Sequence, residues 1–134
     1  MATMGRHDQE QRDTLNRQLG DKGEEIAARF LANEGFRIIE RNYRCPAGEI
    51  DIIAERNDRL HFVEVKTRST LDKFAPEDAV DSEKRRHIRR AARHYLRSFR
   101  QPSPSTFDIV SVILRPDGRI EMLELHRDAF GWEE

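Results

Sequence analysis

Gly48-Glu49-Ile50-Asp51-Ile52-Ile53 and Leu60-His61-Phe62-Val63-Glu64-Val65-Lys66 are the two stretches on which the fold turns. Both are short and rich in Ile, Val and Phe, and the polar residues between them, Glu55-Arg56-Asn57-Asp58-Arg59, read as a hairpin connection. Two adjacent antiparallel strands are expected. Because side chains alternate across a strand, Glu64 and Lys66 fall on the face of Leu60 and Phe62, and Asp51 on that of Glu49 and Ile53. Charges therefore stand in core-like strands. A lone buried carboxylate or ammonium costs several kcal/mol, comparable to much of a small domain's stability margin. Asp51, Glu64 and Lys66 are thus expected to meet one another or an ion.

That triplet suits metal-dependent phosphodiester cleavage. Mg2+ takes oxygen ligands and keeps several waters, so Asp51 and Glu64 together with phosphate oxygens suffice to hold it; Mn2+ is an alternative. Lys66 is then positioned to orient the attacking water or the scissile phosphate and to offset developing negative charge. The competing structural reading is a buried ion pair between Lys66 and one of the two carboxylates.

A third acid comes from upstream. Residues Gly23 to Gly35 read as an amphipathic helix stopped by Gly35, with Ile26, Ala27, Phe30 and Leu31 inward. Glu24 stands at the edge of that stripe and joins the candidate site as a catalytic and metal-binding carboxylate, with first-turn placement as the alternative. Glu25, four residues before Arg29, suits an exposed ion pair.

These residues carry a family resemblance. Gly23-Glu24 with Ala27 and Leu31, Arg41-Asn42-Tyr43, Gly48-Glu49-Ile50-Asp51, Phe62-Val63-Glu64-Val65-Lys66-Thr67-Arg68, Lys84 opening a helix, and Phe107-Asp108 together resemble the YraN-type family of small bacterial proteins, over roughly residues 20 to 130. That family in turn resembles Holliday junction resolvases within the PD-(D/E)XK nucleases. The resemblance implies an α/β fold with a restriction-endonuclease-like core, a central mixed β-sheet flanked by helices, and Mg2+-dependent DNA cleavage with Glu24, Asp51, Glu64 and Lys66 as the site. At position 106, where such proteins often carry Arg, this chain has Thr106, and an interaction with substrate or structure is expected to be missing there.

The net charge of the 134-residue chain is only -1, but its distribution is uneven. From Ser82 to Gln101, eight basic residues face the single acid Glu83, giving +7 and leaving -8 elsewhere. The same segment is the clearest helix, with Ile88, Ala91, Ala92, Tyr95, Leu96 and Phe99 at three- and four-residue spacing and Asp81 or Ser82 as N-cap. Its basic face, with Lys84, Arg86, Arg90 and Arg93, is the candidate nucleic-acid contact, DNA being the expected partner; a solvated face is the plain alternative. His87 and His94 on this helix read as exposed polar positions. Arg41 to Arg44, read as a loop, and Thr67-Arg68 supply further candidate contacts.

Phe36 to Glu40 reads as a first strand, Phe107 to Leu114 as a buried one and Arg119 to Leu123 as an outer one, with residues 69 to 80 a loop or short helix beside the site. Residues 1 to 19 are polar, with only Leu15 and Leu19 to bury, and are expected as a disordered tail or frayed helix before a single domain over 20 to 134. No apolar run matches a membrane span or signal segment, so a cytoplasmic protein without membrane contact is expected, and lone Cys45 rules out an internal disulfide framework. Cutting two strands of a junction would favour a homodimer. A metal-dependent endonuclease, with branched DNA among its expected substrates, is thus the leading expectation; a non-catalytic nucleic-acid-binding or adaptor module is the other.

Overall fold

A computed structural model describes residues 5–71 and 80–133. Its elements are α1 (Arg6–Asn33), β1 (Arg37–Cys45), β2 (Gly48–Arg56), β3 (Arg59–Ser69), α2 (Ser82–Leu96), β4 (Ser105–Leu114) and β5 (Ile120–Phe130). The strands form one sheet in the order β1-β2-β3-β4-β5. Only β3 and β4 run parallel, and α2 lies in the crossover between them; the other neighbours are antiparallel. The expected mixed α/β sheet flanked by helices is therefore present.

Local chemistry explains the hairpin at its centre. Arg56 pairs with Arg59, so the turn is the two residues Asn57 and Asp58, at φ 55° and 61°. These residue types tolerate the left-handed region, and a two-residue turn with both φ positive matches the strand twist. On one side of the sheet Ile53, Leu60, Phe62 and Phe107 pack with Ile88, Ala91 and Ala92 of α2. On the other, Ile52, Ala54, Val63, Val110 and Val112 pack with Ala27, Ala28 and Leu31 of α1. With a helix on each face, β4 is buried along most of its length, which accounts for the apolar residues on both of its faces.

Two strands run further than expected. The strand read over residues 36 to 40 continues to Cys45, so Arg41-Asn42-Tyr43-Arg44 is strand rather than loop. As the first strand of the sheet it pairs on one side only, and a half-exposed edge does not need apolar alternation. Helix α1 begins at Arg6; residues 6 to 18 are exposed, and packing contributes only from Leu19 onward. The outer strand runs to Phe130. Residues 72–79 of the loop expected beside the site lie outside the described residues.

Candidate active site

The β2–β3 ladder stops at Ile52 and Val63. Just beyond it, the Val65 amide donates to Asp51 Oδ2 at 2.8 Å. A side chain has replaced a backbone acceptor, and the two strands part. The alternation of β2 breaks at the same place: Ile50 and Ile52, two residues apart, are buried in opposite layers. The sheet thus opens at Asp51, and groups from both faces meet there.

Glu64, 5% exposed, lies beyond the end of the ladder on the α2 side. Its Oε1 is 2.6 Å from Lys84 Nζ, in the first turn of α2. Asp81 caps that helix by accepting the Lys84 amide at 2.8 Å, fixing where the lysine side chain starts. From the other face α1 brings Glu24 against Asp51. The approach is close because position 23 is glycine: a Cβ there would fall 1.8 Å from Thr67 Oγ1 and 2.7 Å from Thr67 Cβ. Gly23→Ala is expected to push α1 off β3 and to destabilise by about 1–3 kcal/mol, read by urea unfolding.

Crowded carboxylates raise one another's proton affinity. Burial, and then the charge of Asp51, push Glu24 up to about 7. The same two causes, in the same order, push Glu64 up to about 7, with Lys84 opposing them. For Lys84, burial acts to lower the value, but the carboxylates of Glu64 and Asp51 raise it above its ordinary level. With Nζ this close, the ammonium stays charged, while Glu24 and Glu64 hold on to protons toward neutral pH.

The four residues predicted as catalytic are thus only partly joined. Glu24, Asp51 and Glu64 come together. Lys66 is half-buried two residues beyond Glu64, and the ion pair considered for it is made by Lys84 instead. Lys84, read from the sequence as a DNA contact, belongs to the carboxylate cluster. The family resemblance and its first-turn position behind Asp81 set it apart from the other basic residues, but only tertiary structure joins it to the acids. A cleft of about 350 Å³ lined by Gly48, Glu49, Asp81, Lys84 and His87 adjoins it. Among the described residues no three His, Cys, Asp or Glu side chains are set to enclose an ion, so the predicted three-carboxylate ligand set is not preformed. The Asp51 and Glu64 pair still fits a hard cation that keeps water and substrate oxygens in its shell.

The other candidates are distributed. Arg41 NH1 pairs with Glu25 Oε2 at 2.9 Å, and Glu25 also holds Arg29 at 3.1 Å, so Arg41 ties β1 to α1. Arg68 lies half-buried on β3. On α2, Arg86 and Arg90 stand toward solvent, whereas Arg93 stacks on Trp132 at 5.5 Å. Arg89 is buried and donates to the Gly131 carbonyl at 2.7 Å. His94 is not a bare surface group; its Nδ1 lies 2.7 Å from Tyr43 Oη. Thr106 makes interactions of its own where one was expected to be missing, its Oγ1 3.0 Å from both Asp108 Oδ1 and His61 Nδ1. No helix among the described residues is long and apolar enough to cross a membrane.

The chain is similar to several known proteins. A UPF0102 protein of Moorella thermoacetica is 44% identical over 115 residues, covering 85% of this chain and 96% of its own length. One from Dictyoglomus thermophilum is 44% identical over 117 residues, covering 86% and 98%. A third, from Koribacter versatilis, reaches 47% over 108 residues, 78% of this chain and 76% of its own. The model of the uncharacterised protein family UPF0102 matches residues 23–112, a span that begins at Gly23 and contains Glu24, Asp51, Glu64, Lys66 and Lys84, and the chain belongs to that family.

Proposed function

We propose that the protein is a metal-dependent endonuclease that hydrolyses DNA phosphodiester bonds, with branched DNA as a candidate substrate. The observation that carries the reading is the meeting of Asp51, Glu64 and Glu24 where β2 and β3 part. A fold gains no stability from crowding three acids, whereas a cation bound among them would relieve their repulsion. Asp51 and Glu64 would hold Mg2+ or Mn2+, which when bound supplies an activated water and charge stabilisation at the phosphoryl oxygens. Lys66, on the face of Glu64, presents an ammonium to the scissile phosphate. Glu24, poised to exchange a proton near neutrality, is suited to take one from the attacking water.

The arginines on the outer face of α2 supply backbone affinity in this reading. Reversing Arg86 and Arg90 to Glu is expected to weaken DNA binding and to flatten its salt dependence, the slope falling by about one for each phosphate no longer neutralised. Fluorescence anisotropy across a salt series measures both.

The non-catalytic alternative has one specific observation behind it: Lys84 already neutralises Glu64. Metal binding separates the two. Glu24 and Glu64 have folded-state values raised to about 7 from 4.5, so without metal their contribution favours the folded state below about pH 4.5 and is lost as the pH rises through 7. A cation should restore what ionisation removes. Mg2+ is therefore expected to raise the thermal midpoint more at pH 8 than at pH 5.5, and Glu64→Gln to blunt the difference. No metal-dependent shift at either pH would favour the non-catalytic module.

A further inference from the structure

We propose that the protein carries a second, separate site: a phosphate-binding pocket between the β2–β3 turn and the bulge in β5, anchored by His61 and walled by Arg56, Arg59 and Arg127. It is distinct from the carboxylate cluster. His61 is three residues before Glu64 on β3, about 10 Å along the strand, and its ring packs on Phe36 beside the α1 layer, while Glu64 faces α2.

The pocket has a volume of about 260 Å³, and its lining sets three guanidiniums against the single carboxylate of Asp128. Arg56 is held in place by the Glu34 carbonyl at 3.1 Å and by the Phe36 ring at 4.1 Å. Arg59 and Arg127 are exposed and make no ion pair among the described residues. Such planar donors match the paired oxygens of a phosphate.

The anchor is built from inside. His61 is 6% exposed, and its Nδ1 lies 2.7 Å from Oδ2 of the wholly buried Asp108. Thr106 Oγ1 donates to the other Asp108 oxygen, as does the Asp128 amide at 2.9 Å. With Nδ1 bound to that carboxylate, Nε2 is the free end of the ring. It has no hydrogen-bond partner among the described residues, and His61 lines the pocket. A ring carrying both protons presents Nε2–H as a donor to a phosphate oxygen.

The site does not rest on nuclease activity, and either can fail alone. The test follows the His61 ring by NMR, assigned through His61→Gln, during titration with inorganic phosphate at constant ionic strength. A saturable change at His61 is expected, with its midpoint raised at least about tenfold in Arg59→Ala/Arg127→Ala and the remaining spectrum unchanged. These two residues are exposed, so the variant is expected to fold. No saturable change, or an equal midpoint in the variant, overturns the proposal. Thymidine oligonucleotides with and without a 5′-phosphate then identify the source. Tighter binding of the phosphorylated form points to a strand end, equal binding to internal backbone, and failure of both to compete with inorganic phosphate to the free anion.

Discussion

Asp51→Asn is expected to lower metal-dependent DNA cleavage by about 10²- to 10³-fold while the folded protein becomes more stable at pH 8. The two effects have one cause. The substitution keeps an oxygen to accept the Val65 amide but removes the charge that helps raise Glu24 and Glu64. Stability should therefore rise where those acids are ionised and change little at pH 5, as read by chemical unfolding at the two pH values. Lys66→Ala should match the loss of cleavage without the gain in stability, because its ammonium is not the partner of the buried acid; Lys84 is. Full activity in either purified variant would remove that residue from the proposed site.

The largest loss of stability is expected at Asp108. The β4–β5 register shifts between Phe107, which pairs with Phe130, and Ile109, which pairs with His126. The surplus residues of β5 form a bulge, Asp128 takes φ 50°, and its amide finds its acceptor in the Asp108 side chain. His61 and Thr106 complete the set around a fully buried carboxylate. Asp108→Ala strands all three partners and should cost about 3–5 kcal/mol; Asp108→Asn, which retains an acceptor for the amide, should cost less. Burial acts to raise the Asp108 value, but hydrogen bonds from His61, the Asp128 amide and Thr106 bring it below the ordinary 3.8. Its contribution is present above that pH and lost as pH falls through the lower folded value. Acid unfolding of Asp108→Asn should accordingly be less steep below pH 4 than that of the parent.

The centre of this structure is legible because β2 and β3 carry strong β-formers around a turn of Asn and Asp, and because acids in such strands demand partners. Glu24 is separable from Glu25 by its place on the helix stripe, and Glu25 does pair with Arg29. What escapes a linear reading is tertiary. The parting of the strands at Asp51 is a property of the ladder, and the Asp108–His61 contact joins residues 47 apart in sequence. Lys84 looks like its basic neighbours until Asp81 and the crossover place it against Glu64. The second half of β1 reads as loop because an edge strand bearing Arg, Asn and Tyr shows no apolar alternation. The arginines of α2 read as one basic face, yet Arg89 and Arg93 are occupied with Gly131 and Trp132.

Cleavage of labelled linear, single-stranded, flapped and four-way-junction DNA, with Mg2+, Mn2+ or EDTA and with Glu64→Gln as the control for contaminating nuclease, decides whether the carboxylate cluster is a nuclease site. Cutting that requires the metal and disappears in Glu64→Gln is expected. No cutting of any substrate by folded protein under metal, or cutting that survives in Glu64→Gln, would contradict it.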